Sequence, residues 1–144
     1  MFRKINNCGK VRYIYKFKLH KLKKKTFIQI QPKTRIGKGF YIGHYGRIII
    51  NQETSIRNNC SIATGVTIGQ ENRGKRKGCP TIGDSVWIGT NAVIVGNIRI
   101  GNDVLIAPLA YVNFDVPDHS IVIGNPARII KKNNATEKYI EKTV

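Results

Sequence analysis

The residue best suited to acid–base chemistry is His44, the single histidine within a long repeating stretch of the chain. A neutral imidazole can take the proton of a hydroxyl group as that hydroxyl attacks an electrophile, and such general-base catalysis typically contributes ~10²–10⁴-fold to the rate. A structural role is the alternative for any lone histidine. His20 lies in a lysine-rich segment and His119 in a predicted turn, and we interpret both as structural.

Cysteine chemistry is a second possibility, because the chain has 3 cysteines, Cys8, Cys60 and Cys79. An odd number without Cys-x-x-Cys spacing predicts free thiols and a reducing compartment. Cys79 could act as a nucleophile beside a base. Direct transfer to an acceptor needs no acyl-enzyme, so we expect Cys79 to line the acceptor pocket or to be an ordinary loop residue. One histidine in the repeats supplies too few ligands for a zinc site, and we predict no metal.

A period of six residues must position these groups, and it extends from Ile30 onward. Aliphatic residues recur at this spacing at Ile36, Ile42, Ile48, then Ile56, Ile62, Ile68, then Ile82, Ile88, Ile94, Ile100, Ile106 and Val112. A helix needs apolar spacings of three and four, and a half-exposed strand needs alternation, so neither explains a period of six. Short strands joined by corners explain it, with three hexads for each triangular coil of a β-solenoid. Twelve hexads predict about four coils and a prism roughly 20 Å tall.

Two insertions interrupt this period. Two extra residues lie between Ile48 and Ile56, and eight lie between Ile68 and Ile82, within segment 70–80. A coil cannot absorb extra residues, so we expect segment 70–80 to leave the solenoid as a loop. Stacking residues three hexads apart predicts that four residues share one edge of the prism with this loop: His44, Thr64, Thr90 and Pro108.

The repeat Ile-Gly-x-x-Val/Ala-x and the closing segment 124–128, Gly-Asn-Pro-Ala-Arg, resemble the hexapeptide-repeat acyltransferases over about residues 30–130. Segments 37–56, 66–69 and 79–89 are similar to serine acetyltransferases and to short capsular-polysaccharide O-acetyltransferases. The resemblance implies an all-β, left-handed parallel β-helix and acetyl-CoA as co-substrate. It also implies a homotrimer with active sites between subunits and His44 as the catalytic base.

The same resemblance implies where the donor binds. Gly69, Thr90 and Pro108 match positions along which the family lays the pantetheine chain, although Pro108 lacks an N–H donor. Arg128 and Lys131 would meet the phosphates of CoA, where an arginine can form two hydrogen bonds. A solvated tail is the alternative for the lysine.

Departures from the serine acetyltransferase pattern bear on the acceptor. Where those enzymes carry an acidic residue before the base and another that orients it, this chain has Gly43 and Gln29. Gly78 and Cys79 replace an Arg-His pair. We therefore predict that the acceptor is a small-molecule or oligosaccharide sugar hydroxyl in surface-polysaccharide biosynthesis, with serine acetylation as the alternative.

Three side chains are candidates for orienting the base or binding the acceptor. Gln29 could accept the Nδ1 proton of His44, although a backbone carbonyl would serve equally well. Tyr45 and Trp87 flank the predicted edge, and aromatic faces can stack on sugar rings. Packing between subunits is the alternative for Trp87.

The chain carries 25 Lys and Arg against 8 Asp and Glu, a formal charge of +17, and its first acidic residue is Glu53. This charge predicts an anionic partner. Residues 1–29 form a predicted basic arm or cap, in which segment 11–25 is a basic amphipathic helix or an extended arm. Residues 1–25 could contact an anionic membrane surface, and a solvated cap is the alternative.

We divide the chain into the arm 1–29, a β-helical domain 30–130 and a basic tail 131–144. A noncatalytic cationic solenoid that binds membrane or nucleic acid is a second alternative function. The arm has no recognised nucleic-acid-binding motif, so we predict no nucleic-acid partner. The chain also shows no leader-like or membrane-spanning apolar run, which predicts a cytoplasmic protein, with a peripheral location at the inner face of the membrane as an open alternative.

Overall fold

The six-residue period produces very short strands, because each hexad supplies only a few paired residues before a corner turns the chain. The computed structural model describes residues 12–140 and 143–144. The part of the predicted arm that precedes residue 12, with Cys8, lies outside them. The elements are α1 (Arg12–Thr26), β1 (Ile28–Ile30), β2 (Arg35–Ile36), β3 (Tyr41–Ile42), β4 (Ile48–Ile50), β5 (Ser55–Ile56), β6 (Ser61–Ile62), β7 (Thr67–Gly69), β8 (Thr81–Ile82), β9 (Val86–Ile88), β10 (Val93–Val95), β11 (Arg99–Ile100), β12 (Val104–Ile106), β13 (Tyr111–Val112), β14 (Ser120–Ile123) and β15 (Arg128–Lys131).

The strands form the three faces of a prism. Sheet A is β1-β4-β7-β10-β13, sheet B is β2-β5-β8-β11, and sheet C is β3-β6-β9-β12-β14 with β15 added antiparallel. A parallel bridge from Ile100 to Val116 continues sheet B into the last turn. The predicted left-handed parallel β-helix is confirmed, but with about five turns rather than four, because the first turn begins at Ile28 and β14 completes another.

Three columns of aliphatic side chains fill the prism. One column is Ile62, Ile88, Ile106 and Val122, and each of these residues is almost fully buried. Full burial of such a side chain contributes about 1.5–3 kcal/mol relative to exposure. Stacking the hexads therefore stabilises a solenoid that no single turn could maintain.

The strand register places the two-residue insertion before β4 and not after it. Ile30 pairs with Ile50, and Ile50 pairs with Ile68, so Ile50 rather than Ile48 holds the repeat position. Ile48 is level with Val66 instead, and both are buried. The prediction that the insertion lies between Ile48 and Ile56 is therefore wrong. The two extra residues belong to the corner between β3 and β4, which contains His44.

The corners of successive turns stack into three edges of the prism, and we name each edge by the residues or the loop that it carries. The His44 edge joins sheet C to sheet A, the loop edge joins sheet A to sheet B, and the Asx edge joins sheet B to sheet C. On the Asx edge, backbone N–H groups donate to Asn or Asp side chains of the next turn. Asn58 accepts from Lys38 at 2.9 Å, and Asp84 accepts from Asn58 at 2.9 Å. Residues with positive φ, such as Asn59 and Asp103, turn the chain there, as Asn and Asp do readily.

Both ends of the chain differ from the predicted boundaries. Segment 12–26 is the helix α1, which packs on β1 through its buried Leu19. The solenoid starts at β1, two residues before the predicted boundary. The predicted tail 131–144 begins inside β15 and then returns across sheet C, because Asp103 on the Asx edge accepts hydrogen bonds from its backbone and Tyr139 packs on Trp87 of sheet C. No helix within residues 12–140 and 143–144 combines the length and the apolar content needed to cross a bilayer.

Candidate active site

His44 lies on the outside of the prism, in the bulge that the two extra residues create. The Gly46 N–H donates to the Thr26 carbonyl at 3.3 Å, and Gly46 has a φ of 134°. A Cβ at this position would also clash with Thr64 Oγ1, so the bulge requires glycine. Thr64 Oγ1 donates to the Tyr45 carbonyl at 3.1 Å. These contacts hold the bulge backbone between α1 and the turn below, and leave the His44 ring exposed.

A cleft of about 330 Å³ opens beside His44 on the outer face of sheet C. Its lining includes Tyr41, His44, Ser61, Trp87, Tyr139 and Ile140. The Trp87 and Tyr139 rings lie 4.7 Å apart between centroids, tilted by 56°. Within the described residues the His44 ring makes no hydrogen bond, so both of its nitrogens are available to a ligand. The arrangement allows an imidazole to reach a hydroxyl group bound in the cleft.

The described residues that line the cleft are uncharged, His44 apart. Among the described residues that line it, none is Asp, Glu, Lys or Arg. A bound ion would therefore lose hydration without gaining a charged partner, which is unfavourable. An uncharged ligand fits this lining better than a charged one.

The predicted stack below His44 is present. The Asn91 N–H donates to the Thr64 carbonyl at 3.0 Å, and the Leu109 N–H donates to the Thr90 carbonyl at 3.0 Å. Pro108 lies in the same corner one turn on, since a Cβ added to Gly89 would lie 2.6 Å from the Pro108 nitrogen. Thr64, Thr90 and Pro108 therefore share the His44 edge, as the repeat predicted.

The two predicted phosphate ligands, Arg128 and Lys131, lie at opposite ends of β15. The Tyr111 N–H donates to the Gly124 carbonyl at 3.2 Å, so the turn 124–127 closes the lower end of the His44 edge and Arg128 follows it. Lys131 lies at the opposite end of β15, where its Nζ donates to the Asp118 carbonyl at 3.1 Å. Within one chain, Arg128 but not Lys131 belongs to the proposed donor edge.

Segment 70–80 forms the expected loop on a different edge from the one predicted. Glu71 and Gly78 exchange two backbone hydrogen bonds of 3.0 Å, and the Asn97 N–H donates to the Arg76 carbonyl at 2.8 Å. The inserted residues lie between β7 of sheet A and β8 of sheet B. The His44 edge precedes β7, at the corner where sheet C leads into sheet A. The loop and Gly69, at the end of β7, therefore lie at the loop edge.

Cys79 lies at the base of this loop and is not part of the His44 cleft of its own chain. Burial raises the pKa of its thiol, and the negative charge of Glu53 raises it further. Both effects disfavour the thiolate that a nucleophile requires. Cys60 is buried, its thiol donates to the Gly83 carbonyl at 3.1 Å, and burial raises its pKa to about 11. Both residues are free thiols.

Two candidate orienting residues remain outside the cleft. Gln29 is exposed on β1, where it pairs with Ile49. The Tyr45 side chain is 85% exposed and does not line the cleft. Their roles stay predictions, whereas Trp87 is placed in the cleft with His44.

The sequence reasoning missed four cleft residues: Tyr41, Ser61, Tyr139 and Ile140. Tyr41 and Ser61 occupy the outward position of Trp87 in earlier turns, so the repeat could have identified them. No sequence signal places Tyr139 or Ile140, which reach the cleft only because the tail folds back. Across the described part of the chain, no three His, Cys, Asp or Glu side chains converge as a metal site would require.

Comparisons with known proteins agree with this geometry. The family model described as bacterial transferase hexapeptide (six repeats) matches residues 79–113. The serine acetyltransferase of Bacillus subtilis (strain 168) is 38% identical over 108 residues, which are 75% of this chain and 50% of that relative.

The solved structures similar to this chain are also serine acetyltransferases. The serine acetyltransferase of Neisseria gonorrhoeae in complex with serine has a TM-score of 0.75 and 33% identity, over 90% of this chain and 52% of that one. The serine acetyltransferase of Brucella abortus strain S19 in complex with coenzyme A has a TM-score of 0.75 and 32% identity, over 85% of this chain and 49% of that one. The chain spans about half the length of the curated relatives it matches. By its repeat, its solenoid and these likenesses, the chain is similar to the bacterial hexapeptide-repeat transferases and, among them, to the serine acetyltransferases.

Proposed function

We propose that this chain is an acetyl-CoA-dependent O-acetyltransferase in which His44 is the general base. The observation that carries the proposal is the exposed His44 imidazole, which a glycine-dependent bulge holds at the mouth of a cleft whose described lining is otherwise uncharged. His44 takes the proton of the acceptor hydroxyl while its oxygen attacks the thioester carbonyl carbon. The carbon–sulfur bond breaks, and the CoA sulfur receives the proton from the imidazolium.

The His44 edge suits the donor. From His44 through Thr64, Thr90 and Pro108 to the turn 124–127, it covers about four strand spacings, or roughly 19 Å. An extended pantetheine chain along this edge would place its thioester near His44 and its phosphates near Arg128. The relatives solved with coenzyme A support this donor.

Serine is the acceptor that the comparisons support. The relatives carry the name serine acetyltransferase, and one solved neighbour contains serine. Serine acetylation is therefore the first activity to test.

A sugar hydroxyl is the second candidate, and the lining of the cleft favours it. Free serine carries an ammonium and a carboxylate, and burying such charges without partners is costly. The described lining offers none, whereas Tyr41, Ser61 and Trp87 suit the hydroxyls and apolar faces of a neutral sugar. A place in polysaccharide biosynthesis depends on this candidate.

Thiol release from acetyl-CoA distinguishes these acceptors. The assay compares L-serine, D-galactose and N-acetyl-D-glucosamine, and mass spectrometry identifies the acetylated product. Release that exceeds hydrolysis of acetyl-CoA with one acceptor class supports that acceptor. Release no faster than hydrolysis with every acceptor tested would refute the O-acetyltransferase proposal for these acceptors.

We also propose a homotrimer with active sites between subunits. Sheet A lies between the His44 edge and the loop edge, and its outer face presents half-buried Ile49, Val93 and Val95. A neighbour packed on this face could bring its own loop 70–80, with Cys79, towards His44. Light scattering after size-exclusion chromatography should give three times the mass of one chain, and a monomer would contradict the proposal.

The helix α1 supports contact with an anionic membrane. It exposes Tyr13, Ile14 and Phe17, and Lys21 Nζ lies 4.8 Å from the Phe17 ring centroid. Basic residues near an anionic surface contribute roughly 1 kcal/mol each. Deletion of residues 1–25 should weaken co-sedimentation with phosphatidylserine vesicles, and equal sedimentation would refute the contact.

A further inference from the structure

Segment 135–140, which we call the C-terminal strap, is hydrogen-bonded at its start to the carboxylate of Asp103. The Ala135 N–H donates to Asp103 Oδ2 at 3.1 Å. The Thr136 N–H and hydroxyl donate to Asp103 Oδ1 at 3.0 and 2.9 Å. Ala135 and Thr136 are buried. The strap is therefore part of the packed structure and not a solvated tail.

The far end of the strap reaches the His44 cleft. The Tyr139 ring lies against Trp87, and Ile140 lines the cleft. Beyond the strap, the Val144 N–H donates to Asn59 Oδ1 at 2.9 Å, and Asn59 Nδ2 donates to the Val144 carbonyl at 3.3 Å. Tyr139 and Ile140 lie between these two attachments in the sequence and form one wall of the cleft.

Ser61 provides a polar group on the opposite side. It pairs in register with Tyr41 and Trp87, so its side chain points outward from sheet C into the cleft. Ser61 is only 8% exposed, and within the described residues its hydroxyl makes no hydrogen bond. The fully buried hydroxyls without a partner in the described residues are those of Thr34 and Thr54 and not that of Ser61, so a molecule in the cleft can reach the Ser61 oxygen and exchange a hydrogen bond with it. Its position beside His44 suits a ligand that contacts both residues.

We propose that Tyr139, Ile140 and Ser61 form the acceptor subsite and determine acceptor specificity. The inference rests on the proposed function. The reacting hydroxyl lies at His44, an apolar face of the acceptor packs against Tyr139 and Ile140, and an uncharged polar group pairs with the Ser61 hydroxyl. The acceptor class is thus a neutral molecule with both an apolar face and several polar groups, such as a sugar ring.

Steady-state kinetics with the acceptor that the unaltered chain uses best tests this subsite. Tyr139→Ala and Ser61→Ala should each raise the KM for the acceptor roughly three- to tenfold, because each loses one ring contact or hydrogen bond. The KM for acetyl-CoA should stay within twofold. Glu137→Ala is the matched control, since Glu137 lies on the strap but does not line the cleft. Tyr139→Phe keeps the ring and should keep the acceptor KM.

Fluorescence of Trp87, the single tryptophan of the chain, separates folding from binding. Tyr139→Ala should shift its emission to longer wavelength, while Tyr139→Phe and Glu137→Ala should not. An unchanged acceptor KM in Tyr139→Ala and Ser61→Ala would overturn the subsite, as would an equal rise in both KM values. A higher kcat in Tyr139→Ala with an unchanged acceptor KM would show an inhibitory lid and also overturn it. Absence of transfer by the unaltered chain would overturn the proposed function and the subsite together.

Discussion

Replacing His44 with alanine should remove catalysis while leaving the solenoid intact. The His44 side chain is exposed and makes no hydrogen bond within the described residues. Gly46, Thr64 and the Tyr45 backbone hold the bulge without it. Exposed side chains of this kind usually change the free energy of unfolding by less than about 0.5 kcal/mol. The urea midpoint of His44→Ala should therefore match that of the unaltered chain.

The loss of activity follows from the role of the base. General-base catalysis typically contributes ~10²–10⁴-fold, which is about 2.7–5.4 kcal/mol of transition-state stabilisation at about 1.36 kcal/mol per tenfold. The kcat for acetyl transfer should fall by that factor, with the KM for acetyl-CoA nearly unchanged, because the alanine removes a proton acceptor and not a donor-binding group.

Thiol release with saturating acetyl-CoA measures this loss. His20→Ala is the matched control, because His20 is exposed on α1 and does not line the cleft. A His44→Ala variant that keeps its midpoint and retains kcat within threefold would exclude His44 as the base. A variant that loses both midpoint and kcat would instead indicate a structural histidine.

Three further outcomes follow from the structure. Ile88→Ala should lower the free energy of unfolding by about 2–5 kcal/mol in urea titrations, because it leaves a cavity in a fully buried column, whereas Ile130→Ala at an exposed position should change it little. Cys79 should react with iodoacetamide more slowly than free cysteine at neutral pH, because burial first and Glu53 second raise its pKa, and Cys79→Ala should keep kcat within threefold. Partial burial raises the pKa of Asp103, but hydrogen bonds from His119, Thr136 and Ala135 together lower that pKa by more than burial raises it. The pKa of Asp103 is therefore below its usual value. The contribution of this carboxylate to strap attachment is then complete above about pH 4 and is lost as the pH falls through the lowered pKa, which Trp87 emission should report with far-UV circular dichroism as the control for global unfolding.

The architecture could be predicted because it is local and repeated. A residue such as Ile62 lies in the same environment as Ile88 and Ile106, so equivalent positions in each hexad carry the same residue type. The period can therefore be recognised even where a single hexad departs from it. The position of His44 on an edge, with Thr64 and Thr90 stacked below it, could be predicted by aligning residues three hexads apart. The position of the two-residue insertion did not, because Ile48, Ile49 and Ile50 all fit an interior position and only strand pairing chooses among them.

The sequence alone therefore determined the repeat, the prism and the edge that carries the histidine. The tertiary structure decided which edge the loop 70–80 leaves and where the tail goes. Asp103 and residues 135–136 are more than thirty positions apart, and Trp87 and Tyr139 more than fifty, so no periodic pattern connects them. Contacts between groups so distant in the chain depend on the finished surface of the solenoid, and they complete the cleft beside His44.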